Sequence, residues 1–331
     1  MTNKQSDRFL GSLHDCYDGT DPRVNKELAA GLEGKNVIVA GAGRGIGRAC
    51  AEFFSHTPIK SLSLVALEQD EVDATAALCR GIRAGLATKA RALDVKDPAA
   101  VRAFVEEVAR DFGGVDVVLM NAGRPPQWLP TSEGDPDIWW DTVGVSLRGA
   151  YNFSRFALPV MQRQAGGGRI IFTASAGAHA NRGMGSYITG KLGVVRLAEI
   201  IHAENHGINN IKAFAIHPGN IPTRFYHDFK DKVEGRRQPG SYISATAEGE
   251  DKSAQTAVGF LEQGTFDTPY MAAGMVTALA GGRLDFMSGR YVDCSLRVED
   301  LAAQREAITR DDLFRVRLNA GGGKLIPKLD Y

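Results

Sequence analysis

Tyr187 and Lys191 stand four positions apart in Tyr187-Ile188-Thr189-Gly190-Lys191. On a helix that spacing puts a phenol and an ammonium on one face, one turn apart. A free phenol, with a pKa of about 10, exchanges protons poorly near neutral pH. A neighbouring positive charge favours the phenolate and makes the pair a usable acid–base group. Far upstream, Gly41-Ala42-Gly43-Arg44-Gly45-Ile46-Gly47 follows the apolar run Asn36-Val37-Ile38-Val39-Ala40. A glycine turn between a strand and a helix lets backbone N–H groups approach a pyrophosphate, and the helix N-terminus adds a favourable field for the anion. A proton donor and a dinucleotide turn, in one chain, are the parts needed to move a hydride.

Such residues need a scaffold that brings them together. Apolar runs predict strands at 36–40, 61–67, 116–120, 169–173 and 211–216, with a weaker one at 88–94 and a short late one at 290–294. Helical patterns lie between them at 46–55, 70–84, 97–112, 137–163, 185–206 and 268–280. Strands alternating with helices imply an α/β fold, a single Rossmann-like doubly wound parallel sheet with helices on both faces. The near-continuous apolar strands agree, because such strands are buried on both sides. Residues 1–33 read as a polar N-terminal extension, 34–296 as the main domain, and 297–331 as a charged helix near 298–312 with a flexible tail. The stretch 223–266 is polar and aperiodic, and is expected to be a loop that closes over substrate as a lid. The tail sequence Ala320-Gly321-Gly322-Gly323-Lys324 is not a phosphate loop, since Leu325 stands where Ser or Thr is required.

Bulk properties exclude other classes. The chain has 331 residues, 44% of them hydrophobic, and its 39 basic residues balance 39 acidic ones. That balance gives no footprint for nucleic acid or a membrane surface. No apolar stretch approaches the roughly 18 residues of a membrane helix. The first nine residues are polar and lack a signal peptide's apolar core. The four cysteines form no CxxC and read as reduced thiols of a cytoplasmic protein. The seven histidines show no spacing with Cys or carboxylates that suggests a metal, and are read as surface or satisfied residues.

The glycine turn, with three residues between Gly41 and Gly45 and then Ile46-Gly47, resembles that of the short-chain dehydrogenase/reductase superfamily, TGxxxGxG. Ala40 stands where the family has Thr. Further matches follow in order: Asp94 and Val95 at a strand end, Asn121-Ala122-Gly123, Ser175 after a strand, Tyr187 with Lys191, and Pro218-Gly219-Asn220-Ile221-Pro222-Thr223 for PGxxxT. The resemblance covers residues 34–296. Asp137-Ile138-Trp139-Trp140, Val145-Ser146-Leu147-Arg148-Gly149 and 286–301 are similar to a branch common in filamentous fungi, many of whose members act in secondary metabolism.

The resemblance implies an NAD(P)-dependent enzyme. Gly41, Arg44, Gly45, Ile46, Gly47, Glu68, Asp94, Val95, Asn121, Ala122, Gly123, Tyr187, Lys191, Pro218, Gly219, Ile221 and Thr223 would bind the cofactor. Tyr187 would be the acid/base, Lys191 would lower its pKa and hold the nicotinamide ribose, and Ser175 would bind the substrate oxygen. Ser175 lies twelve residues before Tyr187, one fewer than the family's usual spacing. Ser146 departs from the family, which has Asn there to hold a water on a proton path to the Lys. For the coenzyme the signals are mixed. Arg44 is where relatives preferring NADP often carry a base. Glu68 would favour NAD if it ends the second strand at the ribose, and Ala66 would leave that place without an acid. The balance tips slightly toward NADP(H).

Arg124, Trp128, Met184, Phe225 and Tyr226 flank these motifs and are the expected substrate walls, suited to a bulky, partly aromatic or alicyclic carbonyl compound. The reading is an oxidoreductase interconverting a ketone and a secondary alcohol. Its rival is a repurposed scaffold that binds a nucleotide or ligand and performs a non-redox step or only binds. The family's two long central helices, here 137–163 and 185–206, imply a homodimer or homotetramer.

Overall fold

The computed structural model describes residues 11–176, 182–236 and 247–317. In chain order the elements are α1 (Lys26–Ala30), β1 (Asn36–Ala40), α2 (Gly45–Ser55), β2 (Ser61–Ala66), α3 (Gln69–Ile82), β3 (Ala87–Ala92), α4 (Pro98–Phe112), β4 (Val117–Met120), α5 (Pro136–Val143), α6 (Gly149–Gln162), β5 (Gly168–Thr173), α7 (Gly185–Asn205), β6 (Ile211–His217), α8 (Arg224–Val233), α9 (Ala247–Leu261), α10 (Pro269–Ala280), β7 (Arg290–Asp293), α11 (Val298–Ala303) and α12 (Arg305–Arg310). Among the described residues the seven strands form one parallel sheet in the order β3-β2-β1-β4-β5-β6-β7.

The sequence explains both faces of that sheet. All five β1 residues are buried, and they alternate between two cores. Val37 and Val39 belong to the cluster holding Phe53 and Phe54 of α2 and Met275 and Leu279 of α10. Ile38 and Ala40 belong to the cluster holding Phe104 of α4, Phe153 of α6 and Val195 of α7. Period-two side-chain direction thus feeds two helix layers at once. After β1 the chain builds β2 and β3 on one side, then crosses to β4 on the other, where Val37 pairs with Val117. That reversal opens a crevice at the carboxyl ends of β1 and β4. Helix starts are locally encoded. Asp97 and Asp135 each cap a helix by accepting two backbone N–H groups, with Pro98 and Pro136 following.

The structure departs from the sequence expectations in three places. The helix expected at 137–163 is α5 and α6 joined by a π-helical turn, Gly144–Arg148. Glycines bracket that turn, and side chains of the β3–α4 connection press on both: a Cβ on Gly144 would lie 3.3 Å from Lys96, and one on Gly149 would lie 2.7 Å from Val95. The lid stretch 223–266 is not a plain loop. It holds α8 and α9, whose Phe229, Ala254, Ala257 and Val258 form a small third core with Trp128 and Met184. Its inward positions are mostly small or interleaved with charge, so the period is hard to see. Residues 237–246 of this stretch lie outside the described residues.

The helix expected at 298–312 is two short ones, α11 and α12, separated at Gln304. The N-terminal extension, described from residue 11, packs on the domain. Ser12 and Leu13 donate to the Ser295 carbonyl, Tyr17 donates to Glu299 at 2.5 Å, and Leu28 and Leu32 are fully buried. The arginine of this segment, Arg23, lies over the stacked rings of Phe53 and Tyr270, at 5.1 and 5.6 Å. The glycine-rich tail at 320–324 lies outside the described residues, as do 177–181 in the connection between Ser175 and Tyr187.

Candidate active site

The glycine turn is built for close backbone approach. Gly41 sits at φ +86°, and a Cβ there would come within 2.5 Å of the Ala122 nitrogen. Gly45 is also left-handed, at φ +53°. A Cβ on Gly47 would overlap the Gly41 carbonyl oxygen at 1.9 Å, so α2 rests directly on the turn. Asn121 clamps it from β4: its Nδ2 donates to the Gly41 carbonyl at 3.0 Å, and its Oδ1 accepts from Thr173 of β5 at 3.2 Å.

A cleft of about 940 Å³ runs along the carboxyl edge. Gly41, Arg44, Gly45, Ile46, Glu68, Asp94, Val95, Asn121, Ala122, Gly123, Pro218, Gly219, Ile221 and Thr223 all line it, as do Ser175, Tyr187 and Lys191. The five expected wall residues, Arg124, Trp128, Met184, Phe225 and Tyr226, line it too. Two residues do not. Gly47 lies behind the turn, where its role is packing. Ser146 is buried in the π-helical turn, 3.1 Å by its Cβ from where a side chain on Gly190 would begin. Its hydroxyl has no hydrogen-bond partner.

One end of the cleft is dominated by charge. Glu68 follows β2 at the N-cap position of α3, and Glu71 lies one turn on. Arg44 pairs with both, at 3.3 and 3.0 Å. Arg224, the first residue of α8, reaches within 3.8 Å of the same Glu71 oxygen and pairs with Asp228 at 3.3 Å. Burial pushes the Glu71 carboxyl above its usual range, Arg44 opposing. Beyond this corner the Asp94 carboxylate caps the Lys96 amide at 2.9 Å, and Asn152 of α6 donates to the Val95 carbonyl at 2.9 Å. Asp141 of α5 pairs with both Lys96 and Arg124. Burial raises its carboxyl, but the hydrogen bonds from those two cations outweigh that and leave it below the usual carboxylate range.

At the other end lies the Tyr187 helix. Lys191 is 3% exposed and donates to the Thr173 carbonyl at 2.6 Å. Burial pulls its ammonium down to about 8. Its Nζ sits 5.5 Å from the centroid of the Tyr187 ring. Burial raises the Tyr187 phenol above its ordinary value, and a hydrogen bond with Ser175 opposes the rise. The expected lowering of the phenol by Lys191 is therefore not seen in this state, where burial is the larger cause. Around them, Phe225 meets the Tyr187 ring edge-on at 6.4 Å, and Trp128 packs against Phe229 and Phe260 at 6.3 and 5.4 Å. Trp128 holds a left-handed backbone, φ +55°, and a Cβ on Gly183 would lie 3.1 Å from it.

Comparisons with known proteins agree with this geometry. A family model described as short chain dehydrogenase matches residues 35–234. The chain belongs to the short-chain dehydrogenase family. Among relatives, the "Short chain dehydrogenase mpl6" of Monascus purpureus, a filamentous fungus, is 32% identical over 289 residues, covering 86% of this chain and 89% of that one. The "Short chain dehydrogenase pigC" of Monascus ruber is 28% identical over 312 residues, covering 92% and 91%. The crystal structure of NAD+-bound xylitol dehydrogenase superposes with a TM-score of 0.66 at 25% identity, covering 79% of this chain and 98% of that one.

Members of the short-chain dehydrogenase family bind a nicotinamide dinucleotide, and the residues here fit one. Side chains are missing at Gly41, Gly43 and Gly45 where a pyrophosphate must approach, and the α2 N-terminus opens onto that space. Sequence reasoning missed Glu71, Lys96, Asp141, His217, Phe229 and Phe260, which also line the cleft. Phe229 was legible, at i+4 from Phe225 on one helix face. Glu71 and Asp141 lie in ordinary polar helix positions and carry no signal. Among the described residues no three His, Cys, Asp or Glu side chains gather as a metal site, and no helix is long and apolar enough to cross a membrane.

The buried ammonium has a measurable cost. Lys191 has a folded pKa of about 8, below its unfolded value, so below pH 8 it is charged in both states and the burial cost is fully present. Between pH 8 and the unfolded value of about 10.4 the folded lysine is neutral and the cost fades. Lys191→Met is expected to raise urea-unfolding stability at pH 7 by roughly 2 kcal/mol, after loss of the Thr173 hydrogen bond. That gain shrinks as pH rises past 8. A variant no more stable than wild type at pH 7, or a gain that does not change with pH, would show that the buried charge is not penalised.

Proposed function

We propose that this chain is an NAD(P)(H)-dependent oxidoreductase that interconverts a ketone and a secondary alcohol on a bulky, partly aromatic or alicyclic small molecule. The observation that carries the reading is the convergence, in one cleft with the glycine turn, of a Ser175–Tyr187 hydrogen bond and the Lys191 ammonium beside the Tyr187 ring. A bound nicotinamide supplies or accepts the hydride. Tyr187, whose phenol is protonated at neutral pH and is raised further by burial, donates its proton to the substrate oxygen in reduction and takes it back in oxidation. Lys191 offsets the negative charge that develops on the phenol oxygen as the proton leaves. Ser175, already hydrogen-bonded to the phenol, holds the same substrate oxygen. Phe225, Tyr226, Phe229, Trp128 and Met184 exclude water and press on an apolar ring system, which suits a secondary metabolite. Ser146 takes no direct part in this reading, because its hydroxyl lies outside the cleft.

Coenzyme preference turns on the Arg44 corner. Arg44 alone tips the balance toward NADP(H), as the sequence suggests. Its engagement by Glu68 and Glu71 tips it back, because two carboxylates repel a 2′-phosphate and accept hydrogen bonds from a 2′-hydroxyl. NAD(H) is the coenzyme this arrangement favours. Trp140, Tyr151, Leu192 and Ile200 are exposed on α5, α6 and α7, and a second copy of this chain is the partner that fits them. Four free thiols, three of them buried, fit the reducing cytoplasm.

The test is nicotinamide turnover on a panel of bulky cyclic and aromatic ketones. Tyr187→Phe is expected to lose at least about 100-fold in kcat while still binding coenzyme. Tight coenzyme binding with no turnover on any ketone would transfer the reading to a non-redox scaffold. Glu68→Ala is expected to raise kcat/KM with NADPH relative to NADH by about 10-fold, and an unchanged ratio would remove Glu68 from coenzyme choice. Light scattering of the purified protein is expected to give a dimer or tetramer, and Tyr151→Glu with Leu192→Glu to give the monomer. A wild-type monomer would end the assembly reading.

A further inference from the structure

We propose that His217 is a positioning residue for Ser175 and so sets where the substrate oxygen is held. The inference rests on Ser175 as the oxygen-binding hydroxyl. His217 is the last residue of β6, half-buried, and it lines the cleft. Its Nδ1 accepts the Ala176 N–H at 3.1 Å, and the Gly219 N–H approaches the same nitrogen at 3.5 Å. A ring nitrogen that accepts N–H groups carries its lone pair there, so the imidazole proton resides on Nε2.

The need for such an acceptor follows from where β5 ends. Up to Ala174 the chain is still in the ladder, with the Ala174 N–H donating to the Ile216 carbonyl at 2.8 Å. Two residues later the Ala176 N–H is past the last strand carbonyl, and the His217 ring takes the place of one. Ser175 is thereby held from two directions, its hydroxyl by Tyr187 and its following amide by His217. The shortened spacing between Ser175 and Tyr187 makes this second anchor more important, because the hydroxyl must meet the phenol with one residue less of connection.

The same nitrogen also reaches the coenzyme side. Gly219 sits at φ +107°, where a Cβ would come within 2.4 Å of Asp267, and that carboxylate accepts the Asn220 N–H at 2.6 Å. One imidazole therefore joins the Ser175 turn to the loop at 218–223 that borders the nicotinamide end of the cleft. A change in the ring's position moves the substrate's anchor relative to the hydride carbon, and displacements of about 1 Å cost on the order of 100-fold in rate.

Two variants separate positioning from mere filling. His217→Ala removes the acceptor. His217→Asn restores one, because the Asn Oδ1 stands close to where the imidazole Nδ1 was. Turnover of 2-tetralone with NADH, the NADH Kd, and the exchange rate of the Ala176 amide in 15N-alanine-labelled protein are the readouts. His217→Ala is expected to lose about ten- to a hundred-fold in kcat with NADH Kd changed less than about threefold, and to exchange the Ala176 amide at least about ten times faster. His217→Asn is expected to recover most of both. Equal losses in the two variants, with the Ala176 amide unaffected, would make His217 a filler or a direct substrate contact and overturn the proposal. Full kcat in both His217 variants, beside an inactive Tyr187→Phe, would also overturn it and leave the reductase reading standing. An active Tyr187→Phe would bring down the reductase reading itself, and the positioning role with it.

Discussion

The central strand of this sheet, β1, has no wet face. Apolar side chains leave β1 in both directions and are covered by helices on both sides, which leaves little room for polar chemistry at the centre of the sheet. It collects at the carboxyl edge, where the ladder stops and backbone groups need other partners. The glycine turn, Asn121, the Ser175 turn and the loop at 218–223 all lie along that edge. Asn121 shows how closely the edge is tied. One side chain joins the glycine turn after β1 to the end of β5, the strand that leads to Ser175.

Within that edge, desolvation competes with charge pairing and does not always lose. At Asp141 two cations outweigh burial and the carboxyl is held ionised. At Lys191 the partner is a neutral carbonyl, and burial prevails. A buried, weakly compensated ammonium is costly to the fold, and such groups cluster at functional sites. The Tyr187 phenol is raised for the same reason, its hydrogen bond with Ser175 opposing.

The parts outside the sheet are joined to the site more closely than their composition suggests. Phe229 of α8 and Val258 of α9 close a small core over Trp128. The N-terminal segment reaches the loop at 218–223 through His14, which pairs with Asp267 at 2.6 Å while Asp267 holds Asn220. A polar segment docked this way stabilises through specific hydrogen bonds and a few buried anchors such as Leu28 and Leu32, not through a periodic apolar face.

What the sequence by itself determined was local in origin. Apolar runs placed the strands, and their alternation with helices implied a doubly wound parallel sheet. Glycines at 41 and 45 marked a turn that only they can make, and Tyr187 with Lys191 announced a face one helical turn long. Those features depend on neighbours within a few residues, which a single chain displays. The tertiary structure decided the rest, because it depends on residues far apart in sequence. Only folding brought Glu71 beside both Arg44 and Arg224, set the Ala176 amide on His217, and packed Ser146 against Gly190. Desolvation belongs to the same class. Neither Lys191 nor Tyr187 carries in its sequence neighbourhood any sign of how far from water it will sit, and that distance sets their proton affinities.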